Sequence, residues 1–210
     1  MKLENVKPDQ IEKRSFEILS SILEENGQTV EPRYEHIVKR CIHTSADFDY
    51  ADSMYFTENV DKKIEEALKE GAYIVTDTTM AMSGINKRRL EKYGCDVKCF
   101  IKDEDVAKEA KERGVTRSLV SMEKASRLDK PVIFAIGNAP TALFSIIELM
   151  EKGQLSPIAV VGVPVGFVNV VESKNKLIES GVPCIVARGR KGGSNIAAAI
   201  INAIQYNIKE

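Results

Sequence analysis

The chain has 210 residues, 43% hydrophobic and 29% charged, with 30 Lys and Arg against 31 Asp and Glu for a formal net charge of -1. That length carries one sizeable core and leaves too little for two full-size domains, so residues 1–210 are read as a single domain. The charge balance excludes a protein held to nucleic acid by a general basic surface, and 6% aromatics with no Trp exclude base-stacking platforms and aromatic membrane belts. No apolar run approaches the roughly 18 residues of a membrane span. The opening Met-Lys-Leu-Glu-Asn-Val-Lys leads into an amphipathic segment without a signal-peptide apolar stretch, so a cytoplasmic protein is expected.

Hydrophobic periodicity predicts a first helix over residues 8–26, with Pro8 at its start, an apolar stripe of Ile11, Ile18, Leu19, Ile22 and Leu23, and Gly27 as its stop. A second helix is predicted over 32–42, with the stripe Tyr34, Ile37, Val38, Cys41 and Ile42. Five apolar, β-rich runs follow at 72–76, 97–101, 132–136, 158–163 and 184–187. Amphipathic stretches alternate with them at 59–69, 86–92, 105–113, 116–128, 141–152, 170–180 and 194–207. This predicts an α/β fold: an N-terminal helical segment, then a mostly parallel sheet of five strands or slightly more, covered by helices on both faces. The Lys- and Glu-rich stretch 102–113 reads as a solvated helix face.

Ligands of open α/β sheets bind beyond the carboxyl ends of the strands. The segments leaving those ends are Thr-Asp-Thr-Thr-Met-Ala-Met-Ser-Gly (76–84), Gly-Asn-Ala-Pro-Thr-Ala-Leu-Phe (137–144), Gly-Val-Pro-Val-Gly-Phe-Val (162–168) and Arg-Gly-Arg-Lys-Gly-Gly-Ser (188–194). Any one of them is explained by the demand of short turns for Gly and Pro; together at one sheet edge they point to a pocket. In the last, Arg188, Arg190 and Lys191 precede Gly192-Gly193-Ser194, which opens an alanine-rich helix. Free N–H groups, close backbone approach and cations favour a phosphate or a carboxylate there. No GxxxxGK[ST] and no GxGxxG after the first strand occurs, so nucleotide binding is not required.

At about 100° per residue, His36, Arg40 and His43 share the face of the second helix opposite its apolar stripe. His43 then stands at the helix's C-terminal end, where the dipole and the nearby Asp47 and Asp49 favour the imidazolium, a setting for a general acid or base. A lone histidine is more often an ordinary surface residue. Asp47-Phe48-Asp49 is a possible magnesium pair without a phosphate-binding partner motif. Arg14 and Ser15 fall on the polar side of the first helix, where solvation is the default. Arg117, at a helix start, is a cation in an electrostatically adverse place unless a ligand carboxylate lies nearby. Cys41, Cys95, Cys99 and Cys184 form no Cys-x-x-Cys pair and read as reduced, mostly buried thiols, and no protein-held metal is expected. No Gly-x-Ser-x-Gly elbow is present.

On these residues the chain resembles the precorrin-8X methylmutase family, also called cobalt-precorrin-8 methylmutase. The matching stretches are Lys-Arg-Ser-Phe (13–16), Arg-Cys-Ile-His-Thr-Ser-Ala-Asp-Phe-Asp-Tyr (40–50), Thr-Arg-Ser (116–118), Glu-Ser-Lys (172–174) and the loops at 137–144, 162–168 and 188–194, in family order over nearly the whole chain. Asn169-Val170-Val171 departs from an expected Gly-Ala-Ala-like run. The resemblance implies an isomerase of cobalamin biosynthesis. A methyl group migrates between neighbouring carbons of ring C of a corrin precursor, a formal sigmatropic shift without external cofactor, to give hydrogenobyrinate or its cobalt counterpart cobyrinate. It implies His43 as proton donor or acceptor, substrate contacts at Ser15, Arg40, Arg117, Asn138, Arg190, Gly192, Gly193 and Ser194, and a homodimer. The 42–50 stretch leans to the cobalt-containing substrate. Two other readings compete: a Rossmann-like phosphate- or nucleotide-binding enzyme, which nucleotides would stabilise thermally, and a corrinoid carrier, which would leave the chromophore unchanged.

Overall fold

All five apolar runs fold as strands, and a sixth strand precedes them. The structure, a computed structural model that describes residues 6–209, starts with a 3-10 turn at Pro8–Gln10, then α1 (Ile11–Glu25), α2 (Glu35–Ser45), α3 (Tyr50–Ser53), β1 (Met54–Phe56), α4 (Val60–Lys69) and β2 (Tyr73–Thr76). It continues through α5 (Thr79–Gly84), α6 (Lys87–Leu90), a second 3-10 turn at Glu91–Tyr93, β3 (Asp96–Lys98), α7 (Glu104–Arg113), α8 (Arg117–Ala125) and β4 (Val132–Ile136). It closes with α9 (Pro140–Glu151), β5 (Ala159–Gly162), α10 (Val170–Glu179), β6 (Cys184–Ala187) and α11 (Ser194–Asn207). The reading of the first five residues as leaderless lies outside the described residues.

The strand order is β1-β6-β5-β4-β2-β3. Strands β2 to β6 run parallel, and β1 pairs antiparallel with β6, Tyr55 opposite Val186. The parallel strands are buried on both faces, which is why each reads as an unbroken apolar run. Alternate residues part between two layers. Ile133, Ala135, Val161 and Ile185 join the core formed with α1, α2, α4 and α11, while Phe134, Ile136, Val160 and Val186 face α8, α9 and α10. The chain leaves β2 for β3 on one side and returns as β4 on the other, which places the topological switch point, and the crevice it creates, between β2 and β4.

The second helix keeps its predicted stripe: Tyr34, Ile37, Val38, Cys41 and Ile42 are all buried. Each Ile so buried contributes about 1.5–3 kcal/mol. The helix begins three residues later than predicted because residues 31–34 form a turn, closed by Tyr34 N–H donating to Glu31 O at 2.9 Å. It runs on to a left-handed cap at Ala46 (φ 54°), which puts His43 inside its last turn.

The six strands fall within the expected five or slightly more, the sixth being the three-residue Met54-Tyr55-Phe56 paired with β6. Two expectations are corrected. Ile11 is 54% exposed and Ile18 is also exposed, since α1 lies outside α2 and only a narrow strip, with Leu19 and Leu23, reaches the core. The 76–84 segment holds a helix, α5, begun by Thr78, whose side chain accepts from the Ala81 N–H at 3.1 Å. At the departure, Asn169 has φ 57°, a conformation that Asn tolerates where Gly is usual.

Candidate functional site at the carboxyl edge of the sheet

The crevice between β2 and β4 is closed at its base by Asp77, the first residue after β2. Its carboxylate is almost fully buried and accepts three backbone N–H groups, from Gly137 at 2.9 Å, Asn138 at 2.8 Å and Ala139 at 2.7 Å. Burial pushes its pKa above the usual carboxylate value, against the three donors that pull it down. The result is a fixed turn from β4 into α9. That turn touches the start of α11: a Cβ on Gly137 would stand 2.6 Å from Ser194 Cα, so only glycine fits. Ser194 in turn shares a 2.7 Å hydrogen bond with Thr78. Three of the four predicted loops are thus stitched together by side chains and close backbone contact.

The fourth, 163–168, is joined to 188–194 by main-chain bonds, Gly193 N–H to Val163 O at 2.9 Å and Gly166 N–H to Arg190 O at 3.2 Å. Gly192 (φ 153°) has no room for a side chain, because a Cβ would lie 2.1 Å from Val163 O. Of the three cations predicted for the anion loop, two are committed elsewhere. Arg188 stacks on the Tyr55 ring at 4.8 Å, and Lys191 is held by Asp47, at 2.7 Å, and Asp49. Arg190 is exposed and, among the described residues, its guanidinium has no hydrogen-bond or ion-pair partner.

The Lys191 clasp also corrects the expected partnership of Asp47 and Asp49 with His43, and it takes up the carboxylates that a magnesium ion would have used. It has a second effect. Helix α2 lies antiparallel to α11: Glu35 to Arg40 adjoin Ala203 to Asn207, while the residues just past α2 meet Lys191 just before α11. His43 is therefore carried toward the same edge of the sheet. Its ring is exposed and stacked on Phe16 of α1, with centroids 5.0 Å apart and planes 13° from parallel. His36, the other histidine, is half-buried, and burial lowers its pKa.

Arg40 lies on the His43 face of α2, between the rings of Phe16 (4.9 Å) and Tyr206 (5.5 Å), and pairs with Glu12. With Phe16, Glu12 and Tyr206 it lines an open groove of about 770 Å³. Ser15, half-buried, precedes Phe16 on α1. Arg117 is the first residue of α8, after the Thr116 cap. The Thr116 hydroxyl donates to that of Thr141 in the first turn of α9, at 3.1 Å, so Arg117 stands beside the 137–140 turn and the exposed Asn138. Among the described residues the Arg117 guanidinium has no partner. The edge therefore gathers Arg117, Asn138, Arg190 and Gly192–Ser194; His43 approaches it on α2; Arg40 and Ser15 belong to the adjoining groove, with Arg40 already engaged.

Two residues of this edge were given no role from the sequence: Asp77, and Lys174, which stood only as part of the matching stretch 172–174. Lys174 is 1% exposed, and its ammonium donates to Gly189 O at 2.9 Å and Lys191 O at 2.8 Å, beneath the anion loop. Its signal was its register, since Val170, Ser173, Lys174 and Leu177 form the buried face of α10. The thiols offer no nucleophile at neutral pH where burial acts most strongly, as it pushes Cys41 and Cys184 up to about 12. Another depression, of about 550 Å³ and lined by residues of α7, α8 and α9, lies away from this edge, and its Arg113 is taken up by Glu109 and Glu123.

Comparison with known proteins agrees over the whole fold. The sequence profile of the Precorrin-8X methylmutase family matches residues 10–207. The chain is 44% identical over 207 residues to the cobalt-precorrin-8 methylmutase of Salmonella typhimurium, covering 97% of each chain. It is 45% identical over 199 residues to that of Priestia megaterium, covering 95% of this chain and 88% of the relative. A crystal structure of precorrin-8X methyl mutase from Thermus thermophilus superposes with a TM-score of 0.83 at 34% identity, over 94% of this chain and 96% of that one. A profile match across almost every described residue, joined to a shared fold and full-length identity, leaves one assignment: the chain belongs to the precorrin-8X methylmutase family.

Proposed function

We propose that this protein is the isomerase that moves a methyl group between neighbouring carbons on ring C of a corrin precursor, with His43 delivering and recovering the proton that triggers the shift. No atom enters or leaves the substrate, so the protein needs only to bind the macrocycle, hold it dry and protonate it. The observation that carries this reading is the pair of exposed guanidiniums, Arg117 and Arg190, without partners among the described residues, on loops anchored from beneath by Asp77 and Lys174. A corrin precursor is rimmed with acetate and propionate carboxylates, and cations spaced around an edge suit that rim. Arg40, Ser15, Asn138 and the 192–194 amides complete the proposed contacts. The cobalt-containing substrate is the version we favour, since the Salmonella typhimurium and Priestia megaterium relatives are named for cobalt-precorrin-8. Cytoplasmic location is part of the same reading, with Cys41, Cys95, Cys99 and Cys184 as free thiols.

The direct test is incubation with the fully methylated precursor while the ultraviolet–visible spectrum is followed: conversion to the corrin chromophore supports the reading, and binding without spectral change makes the protein a carrier. Changing Arg117 or Arg190 to Ala is expected to weaken hydrogenobyrinate binding by roughly tenfold each, the loss of one charge-assisted hydrogen bond. Arg40→Ala is expected to weaken binding and also to lower the melting temperature, because Arg40 ties α1 to α2. Titration by absorbance and a thermal scan on the same samples separate the two effects.

A homodimer is the proposed assembly. Phe167 is 85% exposed and Val168 78%, with Val165 also exposed, on the loop that borders the site. Such a patch is costly in water and suits a second copy of the chain closing over the cleft. Phe167→Asp should shift the protein from dimer to monomer in light-scattering chromatography; a dimer that survives this change has another interface.

A further inference from the structure

The proposed function gives Lys174, the only lysine buried among the described residues, no part beyond anchoring its loop. It reaches up from α10, and no carboxylate pairs with it among the described residues; its two acceptors are the carbonyls of Gly189 and Lys191. A trans peptide sets each C=O antiparallel to the N–H of the next residue. Drawing the carbonyls of Gly189 and Lys191 inward therefore turns the N–H groups of Arg190 and Gly192 outward. Among the described residues neither of these N–H groups has an acceptor in the chain. They flank the Arg190 side chain, itself without a partner among the described residues, at the rim of the site.

We propose that Lys174 is a positioning residue that shapes residues 189–192 into a cradle for one rim carboxylate of the substrate, formed by two outward amides and the Arg190 guanidinium. The inference rests on the polycarboxylate substrate proposed above. Two features favour a role in binding over one in folding alone. A buried ammonium without a counter-charge is an expensive way to fill space, because desolvation opposes its charged form, and burial here pushes its pKa down to about 8. The same positive charge, held under the loop, attracts an anion placed above it.

The test is a double-mutant cycle on hydrogenobyrinate binding by the full chain. Lys174→Met should weaken binding roughly tenfold with kcat at saturation changed less than threefold, since the cradle holds substrate and transition state alike. Combined with Arg190→Ala, it should add little beyond the stronger single change, because both dismantle one carboxylate site. Should Lys174→Met not fold, Lys174→Ala assayed with and without propylammonium serves, with binding restored by the amine as the expected result. Unchanged affinity in Lys174→Met, additive losses in the double variant, or no rescue by the amine overturns the role of Lys174. Failure of the wild-type chain itself to bind either hydrogenobyrinate or its cobalt counterpart cobyrinate overturns the substrate reading, and this inference with it.

Discussion

Replacing His43 by Asn should lower kcat by roughly 10² to 10⁴-fold while hydrogenobyrinate still binds within about threefold of the wild-type affinity. Imidazole is the side chain that gives and takes a proton near neutral pH, which is the role proposed for His43. Its ring is stacked flat on Phe16, so its orientation is set by apolar contact. Among the described residues no carboxylate holds it, because Asp47 and Asp49 close on Lys191. Asn keeps a flat polar group of similar reach at that place and carries no transferable proton, so binding and chemistry part company. Single-turnover kinetics on the methylated precursor give the rate, and absorbance titration with product gives the affinity. A kcat within tenfold of wild type would remove His43 from the chemistry.

Asp77→Ala should destabilise the protein by about 3–5 kcal/mol, a melting-temperature loss of roughly 6–20 °C for a chain of this size. The change strips one acceptor group from three backbone donors, those of Gly137, Asn138 and Ala139, at the switch point of the sheet. Asp77→Asn should fall between the two, because the amide keeps one accepting oxygen and turns a donor toward donors. Both variants should also lose affinity for product, since the turn that carries Asn138 and adjoins Arg117 depends on this carboxylate. Differential scanning calorimetry checks the first statement; a melting point within 2 °C of wild type for Asp77→Ala would show that the turn holds itself.

The two predictions differ in how far the sequence could have led to them. His43 was legible: the stripe of α2 is nearly ideal, so the face opposite could be drawn on a helical wheel, and the same arithmetic placed Arg40. Asp77 was not. In Thr-Asp-Thr-Thr an aspartate after a strand looks like any loop carboxylate, and only the arrival of the 137–139 turn from 60 residues away makes it buried and triply bonded. Lys174 was half legible, since its register on α10 lies with Val170 and Leu177, yet a lysine on an amphipathic helix is ordinarily a solvated one. Strand β1 was missed for a related reason: Met54-Tyr55-Phe56 has its conformation conferred by β6.

By itself the amino-acid order determined the class of the fold, the parallel strands and the loops at their carboxyl ends, because local periodicity and burial on both faces write themselves into neighbouring residues. It also determined the family, through motifs spread along the whole chain. Tertiary structure alone decided which charges are free to meet a ligand. Arg188, Arg190 and Lys191 are alike in sequence; contact with Tyr55, and with Asp47 and Asp49, removes two of them and leaves Arg190. Charge pairing acts between residues far apart in the chain and close in space, so it is settled only when the fold brings them together.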